Sequence, residues 1–191
     1  MSLRSRLPYL AILLLCPLSG QADETDGWFP FQPREDDRPS VIDCSDWLDA
    51  PAGKHGFVQV VGKDLVFEDG TPVKFWGTNI CNARPAAERE TAIRWSKKLA
   101  KYGINAVRFH KFTYSGRGGL GSSEDSTRLD PDEFEKMDFF VSELRKRGIY
   151  TGWSAIYGHR LVEGDRGKVL AFDELKGGRT SGLVNFARDL Q

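Results

Sequence analysis

Gly103-Ile104-Asn105-Ala106-Val107-Arg108-Phe109-His110-Lys111 is the stretch on which the fold turns. In an extended strand alternate side chains face opposite sides, so Val107 and Phe109 share one face while Ala106, Arg108 and His110 share the other. The apolar pair is expected to meet helices. Burying a guanidinium without a partner is costly, so Arg108 and His110 are expected to face a polar region near the C-terminal end of the strand.

Working outward, a second extended run precedes it: Val73-Lys74-Phe75-Trp76-Gly77-Thr78-Asn79. Between the two, residues 85–102 place Ala92, Trp95, Leu99 and Tyr102 on one helical face and charges on the other, with Gly103 as the stop. Past the decisive strand, Asp130-Pro131-Asp132-Glu133 supplies an N-cap, a proline at the first helical position and a glutamate at the capping-box position. Phe134, Met137, Phe140, Val141 and Leu144 then form a buried face, and Gly148 ends the helix. Residues 149–157 read as another strand, and 182–190 open a third helical pattern through Leu183, Phe186, Ala187 and Leu190. This alternation places the chain in the α/β class, a parallel sheet with helices outside it. A barrel and an open sheet share these opening units. Upstream, short β-rich runs at 57–61 and 65–67 flank Gly62-Lys63-Asp64, and Asp69-Gly70 turns the chain toward the next strand, so a hairpin is expected, of a kind that could close the bottom of a barrel.

The two ends differ in character. Arg4 and Arg6 precede an apolar run, 7–15, and Gly20-Gln21-Ala22 supplies a small-residue exit, the layout of a secretory signal peptide cleaved after Ala22. That run is well short of the roughly 20 residues that span a bilayer, so no membrane partner is expected after cleavage, and the mature protein is expected to be secreted or periplasmic. Residues 23–39 are acidic, contain proline and lack periodicity, which reads as an exposed extension. The domain division expected is therefore 1–22 signal peptide, 23–56 extension and 57–191 barrel-type domain.

Lys plus Arg and Asp plus Glu number 27 each, so the formal charge is zero and no basic stripe marks a nucleic-acid surface. Cys44 and Cys81 remain after signal removal, and an oxidising compartment permits a disulfide between them. Two separately buried thiols are the equal alternative. Gly116-Arg117-Gly118-Gly119-Leu120-Gly121 has the spacing of a dinucleotide fingerprint, but the helix it should open begins only after Asp130. These glycines read better as a loop over a site mouth, and no cofactor is expected. His110 and His159 do not form a metal-ligand cluster, so no metal is expected.

Arg108 can hold and orient a carboxylate through paired hydrogen bonds, with a purely structural charge pair as its bland alternative. Asn79 closes the preceding strand and could add a polar group at the same rim. Trp76 reads as a packing residue rather than a stacking platform, because aromatic residues in strands are mainly core residues. Trp153, Tyr157 and His159 lie at or past the end of the third strand, where an aromatic platform could receive a sugar ring. His159 has equal claim to being a solvated loop histidine.

Phe75-Trp76-Gly77-Thr78-Asn79, the helix ending Leu99-Ala100-Lys101-Tyr102-Gly103, and the strand through Arg108 and His110 together resemble the N-terminal part of cellulase-like glycoside hydrolases, the family 5 group and its clan. The stretch from Gly62 to Val73 is similar to the hairpin that leads into their barrel. The resemblance covers residues 57–191. It implies a partial TIM (β/α)8 barrel, the first three βα units preceded by an N-terminal β-hairpin, where a complete barrel has eight units and about 250 residues. It implies a secreted enzyme acting on O-glycosidic bonds of a polysaccharide or oligosaccharide, with a carbohydrate substrate as partner. Arg108 then matches the arginine that supports the catalytic nucleophile, with Asn79, His110, Trp153 and His159 as substrate-binding candidates. Retaining enzymes of the clan carry two carboxylates about 5 to 5.5 Å apart, on the fourth and seventh strands. Neither strand is in this chain, so Glu124, Asp125 and Glu163 are not assigned those roles and the chain alone is expected to be inactive. Two other readings stand beside this one: a noncatalytic secreted carbohydrate-binding or interaction protein using Trp76, Trp153 and Tyr157, and another TIM-barrel enzyme sharing these opening units.

Overall fold

The computed structural model describes residues 27–29, 40–113, 119–154, 161–170 and 172–174. The chain divides into two units, Met1–Arg34 and Glu35–Gln191. Only 27–29 of the first are described, and all that follows concerns the second. The expected signal peptide, the glycine run through Gly118, Tyr157, His159 and the helix expected over 182–190 lie outside the described residues.

Among the described residues, five strands and two α-helices build the second unit. β1 (Val58–Val61) and β2 (Asp64–Phe67) form an antiparallel hairpin in which Val58 pairs with Phe67 and Val61 with Asp64. β3 (Gly77–Cys81), α1 (Arg89–Lys101), β4 (Ala106–His110), α2 (Pro131–Lys146) and β5 (Tyr150–Ser154) follow in the expected alternation. β3, β4 and β5 lie side by side in chain order and run parallel.

Two boundaries move for physical reasons. The strand expected from residue 73 begins at Gly77, because the chain before it completes the hairpin: Phe67 N donates to Thr71 O at 2.8 Å and Val73 N to Leu65 O at 3.1 Å. The helix expected from 85 begins at Arg89, because Pro85 sits in a separate 3-10 turn, Arg84–Ala86. α2 starts where expected. The Asp130 carboxylate accepts from the backbone N of Asp132 and Glu133 at 3.0 and 3.1 Å, while Glu133 pairs with Lys136 rather than returning to the cap.

The core lies between the sheet and the helices. Val107 and Phe109 of β4 are buried against Met137, Phe140 and Leu144 of α2, and Trp95 of α1 reaches the Phe140 ring. The other sheet face is different. Gly77, Asn79, Arg108 and Gly152 are exposed on it, and no described helix covers it.

The N-terminal ends of the strands are closed from below. Phe67 of the hairpin stacks on Tyr150 at the start of β5, and Phe75 meets the same ring edge-on. Residues 43–56 run beside them across the helix ends: Cys44 N donates to Lys101 O and Ala52 N to Arg145 O, each at 2.9 Å. Gly103 and Gly148 end the helices with φ of 69° and 78°. At Gly148 a side chain would also press on the passing backbone, with its Cβ 3.1 Å from Ala50 N. Cys44 and Cys81 are free. Cys44 packs under Gly103 at the bottom of the sheet and Cys81 ends β3 at the top, so the strand length separates them.

Candidate functional site

Register brings the polar side chains together. Asn79 of β3, Arg108 of β4 and Gly152 of β5 occupy one row, and Cys81, His110 and Ser154 occupy the row beyond it on the same face. Arg108 Nε donates to Ser154 Oγ at 2.7 Å, and Nη2 donates to His110 Nδ1 at 3.0 Å. An acceptor Nδ1 places the proton of the neutral ring on Nε2. His110 is held below its ordinary pKa first by burial, then by the charges of Arg108 and Lys111, so the ring stays neutral beside the guanidinium.

Space for a ligand comes from missing side chains. A Cβ at Gly152, the register partner of Arg108, would meet nothing within 4 Å. A cavity of about 450 Å³ results, with Gly77, Asn79, Arg108, Gly152 and Ser154 among its lining residues. Among the described residues no carboxylate pairs with Arg108, so its positive charge faces this space with neutral acceptors as its side-chain partners.

The loops above the sheet are ordered by acids with other duties. Asp165 is fully buried and accepts from Ser126 N at 2.9 Å and Val162 N at 2.7 Å, clasping the segment after β5 to the β4–α2 loop. Asp125 binds Lys168 at 2.5 Å and Arg128 at 3.3 Å, and the Lys168 contact leads the effects holding its carboxyl far below the usual range. Glu163 is paired with Arg166. Gly164 packs so closely on Glu124 O that no side chain fits there. The backbone leaves β3 and β4 through left-handed residues, Asn82 at φ 63° and Lys111 at φ 57°, a conformation that costs energy and collects at functional sites.

The placements of the expected site residues are uneven. Asn79, Arg108 and His110 share one face, and Ser154 joins them without having been singled out from the sequence. Trp153 pairs in register with Phe109, so its ring packs on the helix side against Phe109, Phe112 and Phe134 and is 47% exposed, while the residue also borders the cavity beside Arg108. Trp76 is corrected. It precedes β3 at the bottom of the sheet and is 70% exposed, while Phe75 takes the packing position on Tyr150. Trp76 and Trp153 therefore stand at opposite ends of the strands and do not form one platform.

Among the described residues no cluster of three His, Cys, Asp or Glu side chains could hold a metal ion, and no helix is long and apolar enough to cross a membrane.

Two solved structures can be set beside this geometry. One carries the name glycoside hydrolase, with a TM-score of 0.46 and 21% identity. The other is a glycoside hydrolase family 5 structure from Bacteroides vulgatus ATCC 8482, with a TM-score of 0.45 and 23% identity. This chain is similar to part of each. The match covers 58% of this chain and 27% of either structure, so the chain spans well under half of their length. No family model and no curated protein matches the chain.

Proposed function

We propose that this chain carries the opening βα units of an exported (β/α)8 glycoside hydrolase, and that the face bearing Asn79, Arg108, His110 and Ser154 belongs to its carbohydrate site. The observation that carries the reading is Arg108, a guanidinium fixed by two neutral partners, with no carboxylate among the described residues, on a sheet face that the described helices leave open. Parallel sheets are normally covered on both faces. In a closed barrel that face becomes the interior, and the site belongs at the C-terminal strand ends, where Arg108, His110 and Ser154 stand. The hairpin beneath Tyr150 fits the opposite, closed end.

In this reading Arg108 holds a carboxylate of the reaction by paired hydrogen bonds and keeps it ionised. Ser154 and His110 fix the guanidinium so that little order has to be gained when the carboxylate arrives. Asn79 adds a neutral donor and acceptor to the rim. The acid/base and the nucleophile lie outside the described residues, since Asp125, Glu163 and Asp165 are committed to the loop clasp.

Calorimetric titration of the full chain with β-linked oligosaccharides tests the site. The expected result is saturable binding without turnover, weakened about tenfold or more in Arg108→Met, which corresponds to about 1.4 kcal/mol. Equal binding by the wild type and the variant, or turnover by the chain alone, would overturn the proposal.

A further inference from the structure

The hairpin at the bottom of the sheet is fastened by one side chain whose partners leave it a single workable charge state. His55 Nδ1 lies 2.5 Å from Asp69 Oδ2 in the β2–β3 turn, and its Nε2 meets Asp49 Oδ2 in the segment that crosses the helix ends. A neutral imidazole has one N–H and could serve only one carboxylate; the imidazolium serves both. The ring also stacks on Phe67, which stacks in turn on Tyr150, so the same residue joins the hairpin, the 49–56 segment and the start of β5.

We propose that His55 is a pH-operated fastener: protonated, it clamps the β1–β2 hairpin beneath the sheet, and deprotonated, it releases the hairpin into local opening. The inference is independent of the glycoside reading.

The charged groups around the ring agree with this assignment. Asp69 and Asp49 face it directly. Lys54 pairs with the other oxygen of Asp49 and leaves Oδ2 to the ring. Just past β2, Glu68 lies beside Gly56 and accepts from Phe57 N at 3.1 Å. From β5, the Tyr150 hydroxyl accepts from Gly53 N at 3.0 Å, and α2 reaches the segment through the Arg145 carbonyl oxygen. Hydrogen bonding to Asp69, then to Asp49, raises the His55 pKa above its ordinary 6.5. A histidine with a raised folded pKa contributes stability that is complete below its unfolded value and is lost as pH rises through the folded one. The fastener therefore weakens above pH 6.5, on the alkaline side. On losing the proton the ring keeps one carboxylate, and the other is left with a lone pair facing it. One of the two polar ties between the hairpin turn and the 49–56 segment is then lost, which leaves the hairpin to its apolar stacking and remaining backbone contacts, and a short two-stranded hairpin is marginal by itself.

Amide hydrogen exchange on the full chain, corrected for the intrinsic pH dependence of exchange, reads the fastener at Leu65, Val66 and Phe67 with α2 amides as the internal reference. Protection in the hairpin is expected to fall severalfold as pH rises past the His55 titration while α2 holds, and His55→Gln is expected to abolish that step. Ring titration in wild type and Asp69→Asn gives a second reading that does not depend on His55→Gln folding. His55 is expected to titrate above 6.5 and to move down in Asp69→Asn. Hairpin protection that does not change with pH, a step that persists in His55→Gln, or a His55 titration unmoved by Asp69→Asn would overturn the proposal.

Discussion

Arg108 Nε donates to the Ser154 hydroxyl at 2.7 Å, so β4 and β5 are joined at their C-terminal ends by side chains as well as by backbone. Ser154→Ala removes that partner from an exposed guanidinium. Unfolding free energy is expected to stay within about 1 kcal/mol of wild type in a denaturant titration, because water replaces the lost acceptor. Oligosaccharide affinity is expected to fall, since Arg108 loses its fixed orientation.

His110 titrates with the opposite sense to His55. Burial, then Arg108 and Lys111, hold its folded pKa below 6.5, so its contribution to stability is present above 6.5 and is lost as pH falls through the folded value. Urea unfolding at stepped pH is expected to show wild type losing stability relative to His110→Gln as pH drops below 6.5. A difference that does not change with pH would remove His110 from the titrating groups.

Phe140 sits where the two helices and β4 meet, between the Trp95 and Phe109 rings and without solvent exposure. Phe140→Ala is expected to cost about 3–5 kcal/mol in chemical denaturation, through lost burial and an unfilled cavity.

Gly164 has no room for a side chain against Glu124 O. Gly164→Ala is expected to cost roughly 1–3 kcal/mol by overpacking the loop clasp, and to raise protease cleavage in the 122–129 loop before global unfolding.

The Tyr102 hydroxyl is buried and has no hydrogen-bond partner among the described residues. Tyr102→Phe is expected to leave the unfolding midpoint unchanged or to raise it, because it deletes an unsatisfied polar atom while keeping the ring. A clear loss of stability would reveal a partner for that oxygen.

Much of this arrangement was legible in sequence. Alternation at Val107, Arg108, Phe109 and His110 separates the helix-facing side from the open side, and the Asp130-Pro131 pair marks the start of α2. Both signals are local. Ser154 and Trp153 were not readable in the same way, because their faces depend on how β5 registers against β4, a tertiary fact. Once Gly152 is known to stand beside Arg108, alternation puts Ser154 on the open face and Trp153 on the other. Trp76 was misread because strand propensity assumed a packed position. The paired part of β3 begins one residue later, and the packing beneath it falls to Phe75. His55 was missed for a similar reason: Asp49 and Asp69 flank it in sequence, but only the hairpin fold brings both carboxylates to one ring.

Chemical-shift mapping of the full chain with a β-linked oligosaccharide tests the central claim most directly. The expected result is a set of saturable shifts at Asn79, Arg108, His110 and Ser154, with Trp76 and the hairpin amides unmoved. Shifts confined to Trp76 and the hairpin, or none at all, would contradict the assignment of the open sheet face to a carbohydrate.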